Sequence, residues 1–350
     1  MQARVDGDRV RLDERGRERF YDSRGYGHPV DGELHLSPVE TAHLLYRGDI
    51  DSVDGMGFRA FLEREAGLAS RFLVYKDLRD RGFYLTPARD GWVDDSTGTG
   101  DAPSSADIDF VVYPRGKGPW DDAVEYRVRV VAERESVPVD ALGDVVLAVV
   151  DEESELTYLA TVRPDVSGTA PDPTDTTAEA VLLDDRLLAW DPPESLHSEG
   201  FYGKWLGDDH VALQLSLLEG VYLTERGVLS VPGGRDAVLA RGREAAGDRF
   251  DRRLAVYAAL RERGVVPKTG FKFGADFRTY AEVSSVDDLG HSERLVRVVA
   301  PGHVFRPRDL SLDVRLAHGV RKEMVFAITE GSAGAPSGDV AWLAVRRLTP

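Results

Sequence analysis

Apolar and polar residues alternate, or gather in β-branched runs, in three stretches of the first half of the chain: YRVRVVA (126–132), DVVLAVV (144–150) and LTYLATV (156–162). Period-two patterning and β-branching predict strands there. The second half offers RLVRVVA (294–300), LSLDVRL (310–316) and MVFAIT (324–329), which the same pattern predicts as strands. Helix signals precede each set. Ser37 and Ser216 read as N-caps with Glu40 and Glu219 at the capping-box position, and Pro38 suits a first helical turn. Those helices should end at Gly48 and Gly227, and a second pair at Gly82 and Gly264, where glycine accepts a left-handed cap.

The parallel runs deeper than element order. LHLSPVETAHLLYRG (34–48) matches LQLSLLEGVYLTERG (213–227) at an offset of 179 residues. FLVYKDLRDRG (72–82) matches RLAVYAALRERG (253–264), DFVVY (109–113) matches DFRTY (276–280), and YRVRVVA (126–132) matches LVRVVA (295–300). The series closes by pairing TYLAT (157–161) with VFAIT (325–329). Matches in one order imply a duplication. The reading is an α+β fold of two tandem homologous repeats, 1–164 and 178–350, each with a small helical or α/β part followed by a mixed β-sheet part resembling a nuclease. The N-terminal parts cover about 1–90 and 178–264, and the β parts about 108–164 and 265–350. Residues 165–177, rich in Pro, Thr, Asp and Gly, read as a linker, and 94–107 and 331–338 as flexible insertions.

Composition narrows the function. The 350 residues contain no cysteine, which excludes disulfides, thiolate zinc sites and cysteine nucleophiles. The longest clean apolar run, Val145–Val150, is far short of a membrane span, and the N-terminus lacks a signal-peptide core, so a cytoplasmic protein is expected. Lys+Arg 44 against Asp+Glu 61 gives a net charge of −17, and only six cations are lysine (76, 117, 204, 268, 272 and 322). Such a carboxylate-rich surface suits a salt-saturated cytosol that screens self-repulsion, and predicts unfolding on dialysis into low salt.

The charge is not evenly spread. Residues 291–322 carry seven cations against three carboxylates, whereas 123–154 carry three against eight. A basic stripe in an acidic protein suits a polyanion or an acidic copy of a partner subunit. In the same region the second repeat has Tyr280, His291 and Lys322, where the sequence alignment puts Tyr113, Ala123 and Ser154 in the first. The trio suits phosphodiester transesterification. A tyrosine beside a cation can take the proton of a ribose 2′-hydroxyl, a histidine can protonate the leaving 5′-oxygen, and a lysine can offset charge on the pentavalent phosphorus. The nucleophile lies within the RNA, so neither metal nor other cofactor is needed. Any one of these residues alone would more often be structural; the joint pattern suggests one active and one inactive repeat.

GVVPKTGFKFGADFRTY (264–280), DDLGHSERLV (287–296) and HGVRKEMVFAI (318–328) closely resemble the catalytic segment of the archaeal tRNA-splicing endonucleases (tRNA-intron lyases), and the tandem layout resembles their homodimeric class. The resemblance places the family's triad on Tyr280, His291 and Lys322. It implies cleavage of pre-tRNA at both intron ends within a bulge-helix-bulge RNA, leaving 2′,3′-cyclic phosphate and 5′-hydroxyl ends, with pre-rRNA as a further substrate class. Tyrosine would act as base, histidine as acid and lysine as electrostatic stabiliser. The family's two RNA-binding arginines, which flank a bulged base, fall on Arg315 and, in the last strand, on Arg347 or its neighbour Arg346; as solvated charges they would sit at strand edges. Asp151, Glu152, Glu153 and Glu155 occupy the place of an acidic loop that enters a partner subunit in the homodimer.

Three rivals are weaker. A metal-dependent nuclease usually wants a carboxylate two residues before its lysine, and Val320 is there. A catalytically inactive structural RNA-binding subunit of a splicing complex has no use for an intact triad. A nucleotide-binding enzyme needs a phosphate loop, which neither GFKFGAD nor GVVPKTG supplies.

Overall fold

The computed structural model describes all residues except 1–2, 90, 94–107, 122, 173–175, 284–285, 287–289 and 332–339. Both predicted insertions thus lie largely outside the described residues. The chain divides into two compact units. One comprises residues 1–162 with the later pieces Val304–Ser311 and Arg346–Pro350; the other comprises Arg163–His303 and Leu312–Val345.

The first repeat opens with strands β1 (Arg4–Asp6), β2 (Arg9–Leu12), β3 (His28–Val30) and β4 (Glu33–Leu36), with the short helix α1 (Glu14–Arg17) before β3. They form an antiparallel sheet in the order β1-β2-β4-β3. Helices α2 (Pro38–Arg47), α3 (Phe58–Leu62) and α4 (Leu68–Asp80) follow. Then come β5 (Leu85–Pro87), β6 (Phe110–Val112), β7 (Tyr126–Ala132), β8 (Val137–Pro138), β9 (Val145–Val150) and β10 (Leu156–Val162). They run in the order β5-β6-β7-β9-β10, parallel only between β7 and β9. Leu44, Tyr75, Leu78, Phe110, Val128 and Ala148 are buried in one core that seals α2 and α4 onto this sheet.

The second repeat restates the plan. Strands β11 (Ala178–Leu182) and β12 (Arg186–Trp190), helix α5 (Ser195–Ser198), then β13 (Lys204–Trp205), β14 (Ala212–Ser216) and, after helix α6 (Leu217–Glu225), β15 (Leu229–Ser230) build the small sheet. Helices α7 (Gly234–Ala246) and α8 (Asp248–Glu262) lead to β16 (Val266–Thr269), β17 (Phe277–Tyr280) and β18 (Arg294–Val299). The short β19 (Val304–Phe305), which belongs to the first unit, pairs antiparallel with β8. Helix α9 (Pro307–Gly319), β20 (Glu323–Ile328) and β21 (Ala341–Leu348) complete the chain. The order β16-β17-β18-β20-β21, parallel only between β18 and β20, reproduces that of the first repeat.

Local chemistry explains the recurrence. In each repeat the capping serine accepts from the Glu amide three residues on at 3.3 Å, while the glutamate takes the serine's own amide at 2.9 Å in α2 and 2.8 Å in α6. Gly48, Gly82, Gly227 and Gly264 all have positive φ, between 70° and 89°, at the predicted helix ends.

The structure differs from the sequence reading in four ways. The small sheets precede the helices, and their strands, mostly three to five residues long, are too short to leave a clear periodic signal. LSLDVRL is not a strand but the middle of α9. Its alternation is incidental: Leu310, Val314 and Ala317, spaced as a helix requires, are buried, whereas Leu312 and Leu316 are each 48% exposed. Third, strand register pairs Phe110, Val128 and Val146 across the first sheet and Phe277, Val296 and Val325 across the second. VFAIT therefore corresponds to β9, and TYLAT to β21. Counted from Val146 and Val325, the position matching Lys322 is Gly143 rather than Ser154; α9 and the shorter first-repeat crossover had disguised the offset. Fourth, residues 165–172 are not free. Gly168 and Ala170 amides donate to Arg263 and Gly264 carbonyls, and the Thr169 amide to the Ala281 carbonyl, at 2.8–2.9 Å. A Cβ on Gly168 would meet the Gly264 and Ala281 oxygens at 2.5 and 2.6 Å, so only glycine allows this approach.

Candidate functional site

Three adjacent strand ends assemble the site in the second repeat. Thr279 on β17 pairs with Arg294 on β18, and Arg294 with Glu323 on β20. One step further out, the Glu293 amide donates to the Thr279 carbonyl at 3.1 Å and the Glu323 amide to the Glu293 carbonyl at 3.0 Å. The Glu293 carboxylate also accepts from the Ala281 amide at 3.2 Å. Tyr280, the His291–Glu293 segment and Lys322 are thereby carried to one end of the sheet. The Lys322 ammonium donates to the carbonyl of Ser292, next to His291, at 2.5 Å. Burial, and then the nearby Arg278 guanidinium, pull the Lys322 pKa below the usual lysine range, with Glu293 opposing. A lysine so placed is a cation already partly stripped of water, which strengthens its field on a bound anion.

Tyr280 is 7% exposed and packs in a small cluster with Phe201, Val266 and Val283, its ring 5.6 Å from that of Phe201 in an edge contact. Its hydroxyl has no hydrogen-bond partner among the described residues. Phe201 is fixed from behind. The Lys268 ammonium lies 4.6 Å from the Phe201 ring centre and donates to the Phe201 and Gly203 carbonyls at 3.0 and 3.1 Å and to the Glu219 carboxylate at 3.3 Å. Burial pushes the Glu219 carboxyl up, but Lys268, the Ser216 and Gly203 amides and Arg261 together bring it below the ordinary carboxylate range. His291 is exposed.

The other candidates are more scattered. Arg315 is exposed on α9, not at a strand edge as expected, because its segment is helical. Arg346 and Arg347 are exposed near the end of β21. In the first repeat the acidic loop is the β9–β10 turn. Asp151 organises it, its Oδ1 accepting from the Glu153 and Glu155 amides at 2.9 Å. Glu152 pairs with Arg134 at 2.7 Å, which leaves Glu153 and Glu155 as its outward carboxylates. Of the basic stripe, Arg297 is matched by Asp313 at 2.8 Å and Arg294 by Glu323 at 3.2 Å.

Sequence reasoning passed over Lys268, Phe201 and Arg278. A signal for the last was present, because the match DFVVY/DFRTY sets Val111 against Arg278.

A duplicated α+β unit with ionisable groups gathered at one sheet end of the second copy fits a nuclease. Family comparison agrees. The model described as tRNA intron endonuclease, catalytic C-terminal domain, matches residues 250–335, and that of the tRNA intron endonuclease N-terminal domain matches both 1–62 and 178–240. The tRNA-splicing endonuclease of the halophilic archaeon Haloarcula marismortui is 60% identical over 350 residues, covering all of both chains. That of Natronomonas pharaonis is 59% identical with the same coverage, and that of Methanosarcina mazei 38% identical over 95% of this chain and 96% of its own. The chain belongs to the tRNA intron endonuclease family and is an endonuclease. Among the described residues no helix is long and apolar enough to cross a membrane.

Proposed function

We propose that the protein cleaves pre-tRNA at both intron–exon junctions of a bulge-helix-bulge RNA without a metal ion. Tyr280 takes the proton of the 2′-hydroxyl, whose oxygen attacks the adjacent phosphorus. The P–O5′ bond breaks, His291 gives a proton to the leaving oxygen, and Lys322 offsets the charge that builds on the phosphoryl oxygens. The products are a 2′,3′-cyclic phosphate and a 5′-hydroxyl. The observation that carries this reading is the convergence of three strand ends, with Lys322 bonded to the Ser292 carbonyl beside His291.

Arg315 and one of Arg346 and Arg347 are the proposed clamps on a bulged base, a role suited to a planar guanidinium. By strand register Arg346 matches Val162 of the first repeat, and Arg347 matches Arg163. A homodimer would supply two active repeats for two cuts, with the acidic loop, through Glu153 and Glu155, entering a polar groove of the partner.

The test is incubation with a synthetic bulge-helix-bulge RNA in EDTA and molar KCl, followed by analysis of the ends. Cyclic phosphate and 5′-hydroxyl ends are expected, and H291A should slow cleavage by about 10²–10⁴-fold. Loss of activity in EDTA, restored by a divalent ion, would overturn the mechanism.

A further inference from the structure

A third cation stands between the two lysines already described. Arg278 lies on β17 directly across from Lys268 on β16, two residues before Tyr280 and on the same face of the sheet. Its guanidinium is 5.8 Å from the Tyr280 ring centre. Its field helps to lower the pKa of both Lys322 and Lys268, so it is electrostatically close to each. Lys268 is satisfied by two carbonyls and Glu219, and Lys322 by the Ser292 carbonyl. Arg278 is not satisfied: its Nε is buried with no hydrogen-bond partner, and no carboxylate pairs with it among the described residues. Removing a guanidinium N–H from water without a partner is unfavourable, and two neighbouring cations add repulsion.

The surroundings are built the same way. Arg278, Lys268, Lys204, Arg253 and Arg186 line a cleft of about 700 Å³ whose carboxylates, among the described residues, are Asp185 and Glu219. Lys268 and Glu219 neutralise one another there, as do Arg186 and Asp185, and Arg253 is paired with Asp276 at 3.1 Å. The corresponding cleft of the first repeat, about 460 Å³, holds Arg71 and Arg89 against Asp8, Glu65 and Asp109. At the register position of Arg278 the first repeat has the apolar Val111. The repeat that lacks the His and Lys of the site also lacks this cation.

We propose that Arg278 is a substrate-binding residue that takes a backbone phosphate of the RNA at the cleavage site, alongside Lys322. A phosphodiester supplies the acceptor that Nε lacks and the negative charge that Arg278 and Lys322 lack, and arginine binds phosphate in a bidentate manner. The inference rests on the RNA-cleaving role proposed above.

The experiment measures binding of a bulge-helix-bulge RNA carrying 2′-deoxyribose at the cleaved positions, across a KCl series in which the protein stays folded. Wild type is compared with R278M, R278Q and R278K. Losing one phosphate contact should make the slope of log K against log[KCl] shallower by roughly 0.7–0.9 for R278M and R278Q, while R278K keeps the wild-type slope. A contact that acts only on packing would weaken binding without changing the slope. R278Q retains a polar head at the buried position and covers the case in which R278M does not fold. Cleavage of the all-ribose RNA should fall at least ten-fold in both neutral variants. Wild-type slope and affinity in R278M and R278Q would overturn the proposal. Failure of the wild type itself to bind or cut this RNA would instead overturn the parent reading, which the cleavage control detects separately.

Discussion

The two repeats solve one structural problem in opposite ways. Each buries a capping-box glutamate that holds the amide of a glycine on the preceding loop, Gly27 for Glu40 at 2.6 Å and Gly203 for Glu219 at 2.9 Å. Each also stacks an arginine on a loop tyrosine, Arg79 on Tyr26 at 4.1 Å and Arg261 on Tyr202 at 3.8 Å. The difference is at one position of the edge strand, where register matches Thr86 to Lys268. In the first repeat the Tyr113 hydroxyl donates to Thr86 at 3.0 Å, and burial leaves Glu40 with a raised pKa despite the Gly27 and Ser37 hydrogen bonds. In the second, lysine replaces the threonine, binds the glutamate and frees the tyrosine hydroxyl of any described partner. One substitution thus couples two things: a charged pair in the support, and a tyrosine hydroxyl with no described hydrogen-bond partner.

The sharpest way to break that comparison is to remove the lysine. K268M leaves Glu219 buried beside an apolar side chain and should destabilise the protein by about 3–5 kcal/mol. The double variant K268M/E219Q should recover much of this, because no uncompensated charge remains. Denaturant unfolding in molar KCl measures both. Equal stability of K268M and wild type would show that the pair is not what fixes Phe201 under Tyr280.

A second test uses pH, and the signs oppose. Glu219 has a folded pKa below its unfolded value of about 4.3, so its contribution is full above that value and is lost as pH falls through the folded pKa. Glu40 has a folded pKa above its unfolded value, so its contribution is full in acid and is lost as pH rises through the folded pKa. Relative to wild type, E219Q should therefore flatten the acid limb of the stability curve, and E40Q should flatten the decline toward neutral pH. Two variants shifting the same limb would contradict the assignment of an ion-paired lysine to Glu219 alone.

This contrast also shows what a sequence can carry. The duplication, the capping boxes and the glycine helix ends were legible because they depend on residues three or four apart, or on a glycine where φ must be positive. Tyr280, His291 and Lys322 were legible as a set because one repeat keeps Tyr113 but has Ala123 at the histidine position and no cation at the lysine position. Helix α9 was not, since DLSLDVRL alternates by chance and only its packing reveals which of its leucines are buried. Nor was the support of Tyr280. Lys268 reaches Phe201, Gly203 and Glu219 across 49 to 67 residues, and only the assembled sheet edge brings them together.

The smallest expected effect tests where the repeats are alike. The Ser37 and Ser216 hydroxyls accept from the amide three residues on at 3.3 Å in both, and donate to the glutamate at 2.8 and 2.9 Å. S37A and S216A should each cost about 1 kcal/mol, the ordinary loss of a serine N-cap. If the cap acts independently of the charge beneath it, the two costs should agree within about 0.5 kcal/mol, the usual limit of additivity for uncoupled sites. Coupling would separate them in a known direction. Glu219 keeps Lys268 when its serine is lost, whereas Glu40 relies on amide and hydroxyl donors, so any excess should fall on S37A at neutral pH and disappear in acid once Glu40 is protonated. An excess on S216A would mean that the Lys268 pair depends on the serine, and that the second repeat is the more fragile of the two supports.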